Sequence, residues 1–147
     1  MVIILDEAKF VNELKKINEL VCIAEFGSYN TEYWIKDRSD IDLAVVVNHG
    51  VSFLDTLDIE DDIIKAAQEY YEYENIHLTF ILFKDFSSKY ARIAVDSNKK
   101  YILDNERWYD FQHYVFKYAR LNEKLERTLK IDEQYYYFGE VVDESLL

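Results

Sequence analysis

Apolar residues recur at three- and four-residue spacings in Phe10, Val11, Leu14 and Ile17, behind an Asp6 suited to an N-cap, and predict a helix over residues 7–20. Residues 21–26 are largely apolar and short, which predicts a buried strand running directly into Gly27-Ser28. Residues 29–39 are polar and aromatic without a firm period. Residues 40–47 are β-branched and apolar behind two acids, the pattern of a central strand. A helical period returns over residues 58–72 in Ile59, Ile63, Ile64, Ala67, Tyr70 and Tyr71, with acids in its first turn where the helix dipole favours them. Residues 76–83 predict a third strand, a helix follows near Ser87 with Tyr90, Ile93 and Ala94, and residues 100–103 predict a short edge strand. From Glu106, a stripe of Phe111, Val115, Tyr118, Leu121, Leu125 and Leu129 predicts a long helix leading into a tyrosine-rich tail. No repeat or linker breaks the chain. The expectation is one α/β (α+β) domain over residues 1–147, with residues 106–147 as a C-terminal helical extension.

Composition narrows the class. Half of the 147 residues are hydrophobic and 16% are aromatic, ample for a packed core and unlike a disordered chain. The net charge of −12 argues against direct nucleic-acid binding, which relies on a basic stripe, and fits a cationic partner better. Cys22 is alone, no Cys/His cluster has zinc spacing, and the N-terminus lacks a signal-peptide pattern, so a cytoplasmic location is expected. The longest clean apolar run, residues 43–47, is far too short for a membrane span. With no proline and only Gly27, Gly50 and Gly139, each glycine is informative.

The most specific feature is Gly27-Ser28 at the end of one strand, separated by eleven residues from Asp40-Ile41-Asp42 at the start of the next. Residues two apart in a strand share a face, so Asp40 and Asp42 are expected to present paired carboxylates that repel unless a cation intervenes. Mg²⁺ takes a few carboxylates plus phosphate oxygens and waters, and such a pair beside a phosphate site is a sensible seat for it. Gly27 would let exposed backbone amides and the Ser28 hydroxyl approach a phosphate. Taken singly, each residue is better explained as an ordinary turn glycine or a strand-capping aspartate; together and in this register they point to chemistry.

This arrangement resembles the polymerase-β-type nucleotidyltransferase superfamily. Gly27-Ser28-Tyr29, Arg38-Ser39-Asp40-Ile41-Asp42-Leu43-Ala44-Val45 and Leu57-Asp58-Ile59-Glu60 look like the MntA-like minimal nucleotidyltransferases. The resemblance implies a minimal nucleotidyltransferase fold with a small mixed sheet flanked by helices. It also implies an antitoxin that transfers AMP from Mg-ATP to a tyrosine of a cognate HEPN (HepT-like) ribonuclease toxin. By the same resemblance, Ser28 would hold the terminal phosphates with Gly27, while Asp40 and Asp42 would bind the metal.

The chain departs from the family pattern at two places. Relatives carry a third carboxylate on a neighbouring strand, which here corresponds to Ile76-His77-Leu78-Thr79-Phe80 without an acid; His77, or Thr79 on the same face, takes that position. His77 has three readings: a metal ligand, the catalytic base, or a plain strand histidine. The arginine common after Gly-Ser-Tyr is replaced by Asn30-Thr31-Glu32, with Lys36 and Arg38 as nearby cations. Two alternative functions follow: neutralisation of a partner by binding alone, in a homo- or hetero-oligomer, or nucleotidylation of a cationic small molecule. Tyr135-Tyr136-Tyr137-Phe138 is an interface candidate, because four adjacent aromatics cannot all face one core.

Overall fold

The computed structural model describes residues 6–141, with side chains to residue 130. Helix α1 (Glu7–Lys15) starts where the Asp6 carboxylate accepts from the Lys9 amide at 2.8 Å, and it buries Phe10 and Leu14 completely. It ends earlier than its apolar spacing predicts. The Lys16 amide turns back to the Glu13 and Leu14 carbonyls, and Leu20 already belongs to strand β1 (Leu20–Phe26). Strand β2 is Ile41–Val47, so Asp40 stands just before the strand and Asp42 within it.

Helix α2 (Phe53–Tyr71) begins well before the predicted residue 58. Ser52 and Asp55 form a reciprocal capping box, with the Asp55 amide donating to Ser52 Oγ at 3.2 Å and the Ser52 amide to Asp55 Oδ2 at 2.9 Å. Those bonds hold the Asp55 carboxyl below the usual range. The first turns are hard to read from periodicity because Phe53, Leu54 and Leu57 are exposed. Strand β3 (Ile76–Ile81) ends before a single 3₁₀ turn at Phe83–Asp85. Helix α3 (Lys89–Asp96), edge strand β4 (Lys100–Ile102) and helix α4 (Asn105–Val141) complete the order.

The sheet is mixed, in the order β3-β2-β1-β4. Strand β1 is antiparallel to both β2 and β4, while β2 and β3 are parallel. Alternation along β2 assigns each face its own core. Ile41, Leu43, Val45 and Val47 pack with Phe10 and Leu14 of α1 and with Ile59, Ile63 and Ala67 of α2. Ala44 and Val46 join Ala91 and Ala94 of α3 and Trp108, Phe111 and Val115 of α4 on the other face. Complete burial of a large apolar side chain contributes roughly 1.5–3 kcal/mol, so these central strands anchor both layers. Phe10 also stacks on Tyr70 with ring centroids 4.3 Å apart and meets Tyr71 and Tyr101 edge-on.

The chain separates into two compact units, the first ending at Val115 and the second starting at Phe116. Phe111 and Val115 of the predicted α4 stripe are buried, whereas Leu121, Leu125 and Leu129 are exposed, since the second unit has no other described element to cover them. Tyr118 is likewise partly exposed. The side chains of Tyr135 to Phe138 lie outside the described residues. No helix among the described residues is long and apolar enough to cross a membrane.

Replacing the cap with Ser52→Ala is expected to lower unfolding stability by about 1 kcal/mol, read from the urea midpoint. Burial pushes the Cys22 thiol from 9.0 up to about 12, and burial likewise raises the Tyr71 and Tyr101 hydroxyls. These groups stay protonated in the fold while the unfolded chain ionises, so their contribution is complete below about pH 9 and is lost as pH rises towards 12. The urea midpoint is therefore expected to fall steadily across that window.

Candidate active site

Strand β1 delivers the chain to Gly27 at one end of the sheet, beside the start of β2. Gly27 has φ +75°, a conformation L side chains rarely adopt, and Asn30 closes the same turn at φ 69°. In the sheet register Phe26 pairs with Asp42, and Asp42 pairs in turn with His77 on β3. Asp42 thus lies between the glycine turn and the imidazole, on the face occupied by α3 and the start of α4.

The fit around Asp42 is close. A Cβ on Gly27 would lie 2.5 Å from Asp42 Oδ2, so the carboxylate occupies space that only glycine leaves open. On its other side Asp42 Oδ1 is 3.2 Å from His77 Nδ1. His77 is the more exposed partner, its side chain 59% accessible against 27% for Asp42. Thr79 pairs with Ala44, further into the strand. Of the two candidates for the third position, His77 is the one opposite Asp42.

Ser28 and Asp40 complete the set. The Ser28 carbonyl accepts from the Thr31 amide at 2.9 Å and from the Thr31 hydroxyl at 2.5 Å, which fixes the turn, while the Ser28 hydroxyl makes no hydrogen bond to a described residue. Asp40 is exposed, and its carboxylate is uncommitted among the described residues. Its backbone is held: Trp34 Nε1 donates to the Asp40 carbonyl at 3.0 Å, and Tyr73 donates to the Ser39 carbonyl at 2.6 Å while accepting from the Asp37 amide at 2.9 Å. Lys36 and Arg38 are exposed on this loop.

The donor set is compatible with an octahedral oxygen-rich ion completed by substrate. Among the described residues no three Asp, Glu, His or Cys side chains converge into a ready-made metal cage. Mg²⁺ and similar ions, however, commonly take one or two carboxylates and fill the remaining positions with phosphate oxygens and water. Two neighbouring ligands about 2.1 Å from an octahedral ion lie about 3.0 Å apart. The 3.2 Å separation of Asp42 Oδ1 and His77 Nδ1 is close to that spacing. Asp42 is the carboxylate such an ion would meet at that edge, and Asp40, two residues before it, has a carboxylate uncommitted among the described residues.

Sequence reading overlooked the support behind the turn. Glu25, on the face opposite Asp42, accepts from Asn30 Nδ2 at 2.8 Å, from the Tyr71 hydroxyl at 2.5 Å and from the Tyr101 hydroxyl at 3.3 Å. One carboxylate thereby ties the Gly27–Asn30 turn to α2 and β4. Together with Tyr29, Tyr70 and Lys99, these groups line a cavity of about 500 Å³. The only sequence signal was an acid inside an otherwise apolar strand. Nothing singled out Tyr73 among 13 tyrosines.

The fold belongs to a known class. The nucleotidyltransferase domain model matches residues 7–133, and the chain belongs to that family. Its fold is similar to that of a chain in the crystal structure of a mutant toxin-antitoxin MntA-HpeT, with a TM-score of 0.53 at 20% identity, over 88% of this chain and 98% of that one. The architecture is thus that of a minimal nucleotidyltransferase, a small mixed sheet flanked by helices. None of the curated proteins matches this chain.

Gly27→Ala is expected to cost stability twice over, about 1–2 kcal/mol for its left-handed backbone and more for displacing Asp42. Gly50→Ala is the control, because Gly50 has φ +80° with nothing within 4 Å of the place its new methyl would take. Denaturation should show Gly27→Ala as the more damaging of the two, and calorimetry should show that it alone weakens Mg-ATP binding.

Proposed function

We propose that this protein is an antitoxin that transfers AMP from Mg-ATP to a tyrosine of a cognate HEPN-type toxin. The observation that carries the reading is the seating of Asp42 between Gly27 and His77 in sheet register, beside Ser28 and Asp40. The family membership supports nucleotidyl transfer, and the likeness to the MntA-HpeT structure supports a toxin as acceptor. In this reading, residues 1–147 act as one nucleotidyltransferase-like domain with a helical extension, within the cytoplasm.

The reaction joins the acceptor tyrosine oxygen to the α-phosphorus and breaks that phosphorus's bond to the bridging oxygen, releasing pyrophosphate. The tyrosine proton passes to solvent or to a nearby base. Gly27 and Ser28 bind the terminal phosphates through backbone amides and the hydroxyl. Asp40 and Asp42 would hold a divalent ion, which supplies charge neutralisation and alignment of the triphosphate. Glu25 and Tyr73 keep the two loops in place, so that these polar groups need not reorganise as charge develops.

A second reading rests on His77. With an imidazole where a third carboxylate is expected, the protein would neutralise its partner by binding, its acidic surface complementing a basic one. Intact-mass analysis separates the two. With the neighbouring gene product and Mg-ATP, the enzyme reading expects AMP-sized mass gains on that product, lost in Asp42→Ala by at least about a hundredfold in rate. A stable inhibitory complex with no mass gain, unchanged in Asp42→Ala, would establish binding alone.

A further inference from the structure

Resting on the nucleotidyltransferase reading, the geometry points to His77 as a direct ligand of the ion held by Asp42, and we infer that this site selects Mn²⁺ over Mg²⁺. Parallel pairing places His77 opposite Asp42, with its Nδ1, rather than a carbon edge, facing Oδ1 at 3.2 Å. No other described side chain makes a hydrogen bond with the imidazole, and it is open to solvent. Without an ion, Nδ1–H donates to the Asp42 carboxylate. With an ion between them, the tautomer protonated on the opposite nitrogen presents its Nδ1 lone pair.

The choice of ion follows from the mixed donors. Among ions suited to phosphate oxygens, water and carboxylate in octahedral coordination, the comparison that matters here is between Mg²⁺, Ca²⁺ and Mn²⁺. Mg²⁺ is hard, dehydrates reluctantly and gains little by exchanging water for imidazole. Ca²⁺ takes longer oxygen bonds, for which a 3.2 Å ligand edge is tight. Mn²⁺ accepts both donor types at that edge. An aspartate in place of His77 would make the donor set all-oxygen and lower the preference for Mn²⁺ over Mg²⁺.

The test is pulsed electron paramagnetic resonance on the full chain with Mn²⁺ and a non-hydrolysable α,β-methylene ATP analogue, with Mg²⁺ competition, comparing wild type and His77→Asp. The expected result is nitrogen-14 modulation from a directly bound imidazole in wild type, absent in His77→Asp. The preference for Mn²⁺ over Mg²⁺ is expected to fall about tenfold or more in the variant. Nucleotide-dependent Mn²⁺ binding without nitrogen coupling, or with the same preference in His77→Asp, would overturn the inference and leave the nucleotidyltransferase reading standing. Failure of both proteins to bind Mn²⁺ with the nucleotide analogue would overturn both.

Discussion

The carboxylate of Asp42 rests against a backbone position that cannot carry a side chain, and the surrounding site is arranged around that contact. Gly27 is needed twice, for its left-handed φ and for the volume its missing Cβ leaves to Asp42 Oδ2. A carboxylate so placed abuts the turn that carries Ser28, which brings an acid and an open hydroxyl together without a deep pocket. The left-handed turn is held from behind by Glu25, which binds Asn30, Tyr71 and Tyr101 at once.

The two faces of β2 explain how the site stays rigid while remaining open. Ile41, Leu43, Val45 and Val47 lock one face against α1 and α2, and Ala44 and Val46 lock the other. Asp42 occupies the first position on that second face, where the packed layer has not yet begun. The strand's position is therefore fixed by core packing, while the Asp42 side chain reaches solvent. A site on a central strand is held more closely than one on a loop, and charge stabilisation in phosphoryl-type transfer depends on such preorganisation.

Within the nucleotidyltransferase frame, His77 is where this chain departs from the expected pattern. As a ligand, an imidazole opposite Asp42 would change the donor set from oxygen alone to oxygen and nitrogen, without disturbing the strand that carries it. The same residue therefore bears on which ion the site accepts and on whether the protein acts by transfer or by binding. The acidic surface is common to both readings, since it favours encounter with a basic partner in either case.

Local pattern by itself determined the sheet strands, the capped start of α1, the glycine turn and the register of Gly27, Ser28, Asp40 and Asp42, because alternation and turn chemistry are properties of neighbouring residues. The family resemblance, with strand alternation, reduced the third position to His77 or Thr79. Helix ends escaped it: α1 stops early because Leu20 is taken by the sheet, and α2 starts early through a Ser52–Asp55 cap followed by exposed apolar residues. Only the tertiary structure decided that His77 is the one facing Asp42, because strand register is fixed by packing across 35 residues of separation. Glu25 and Tyr73 likewise acquired their roles from long-range hydrogen bonds, which leave no periodic trace in the chain.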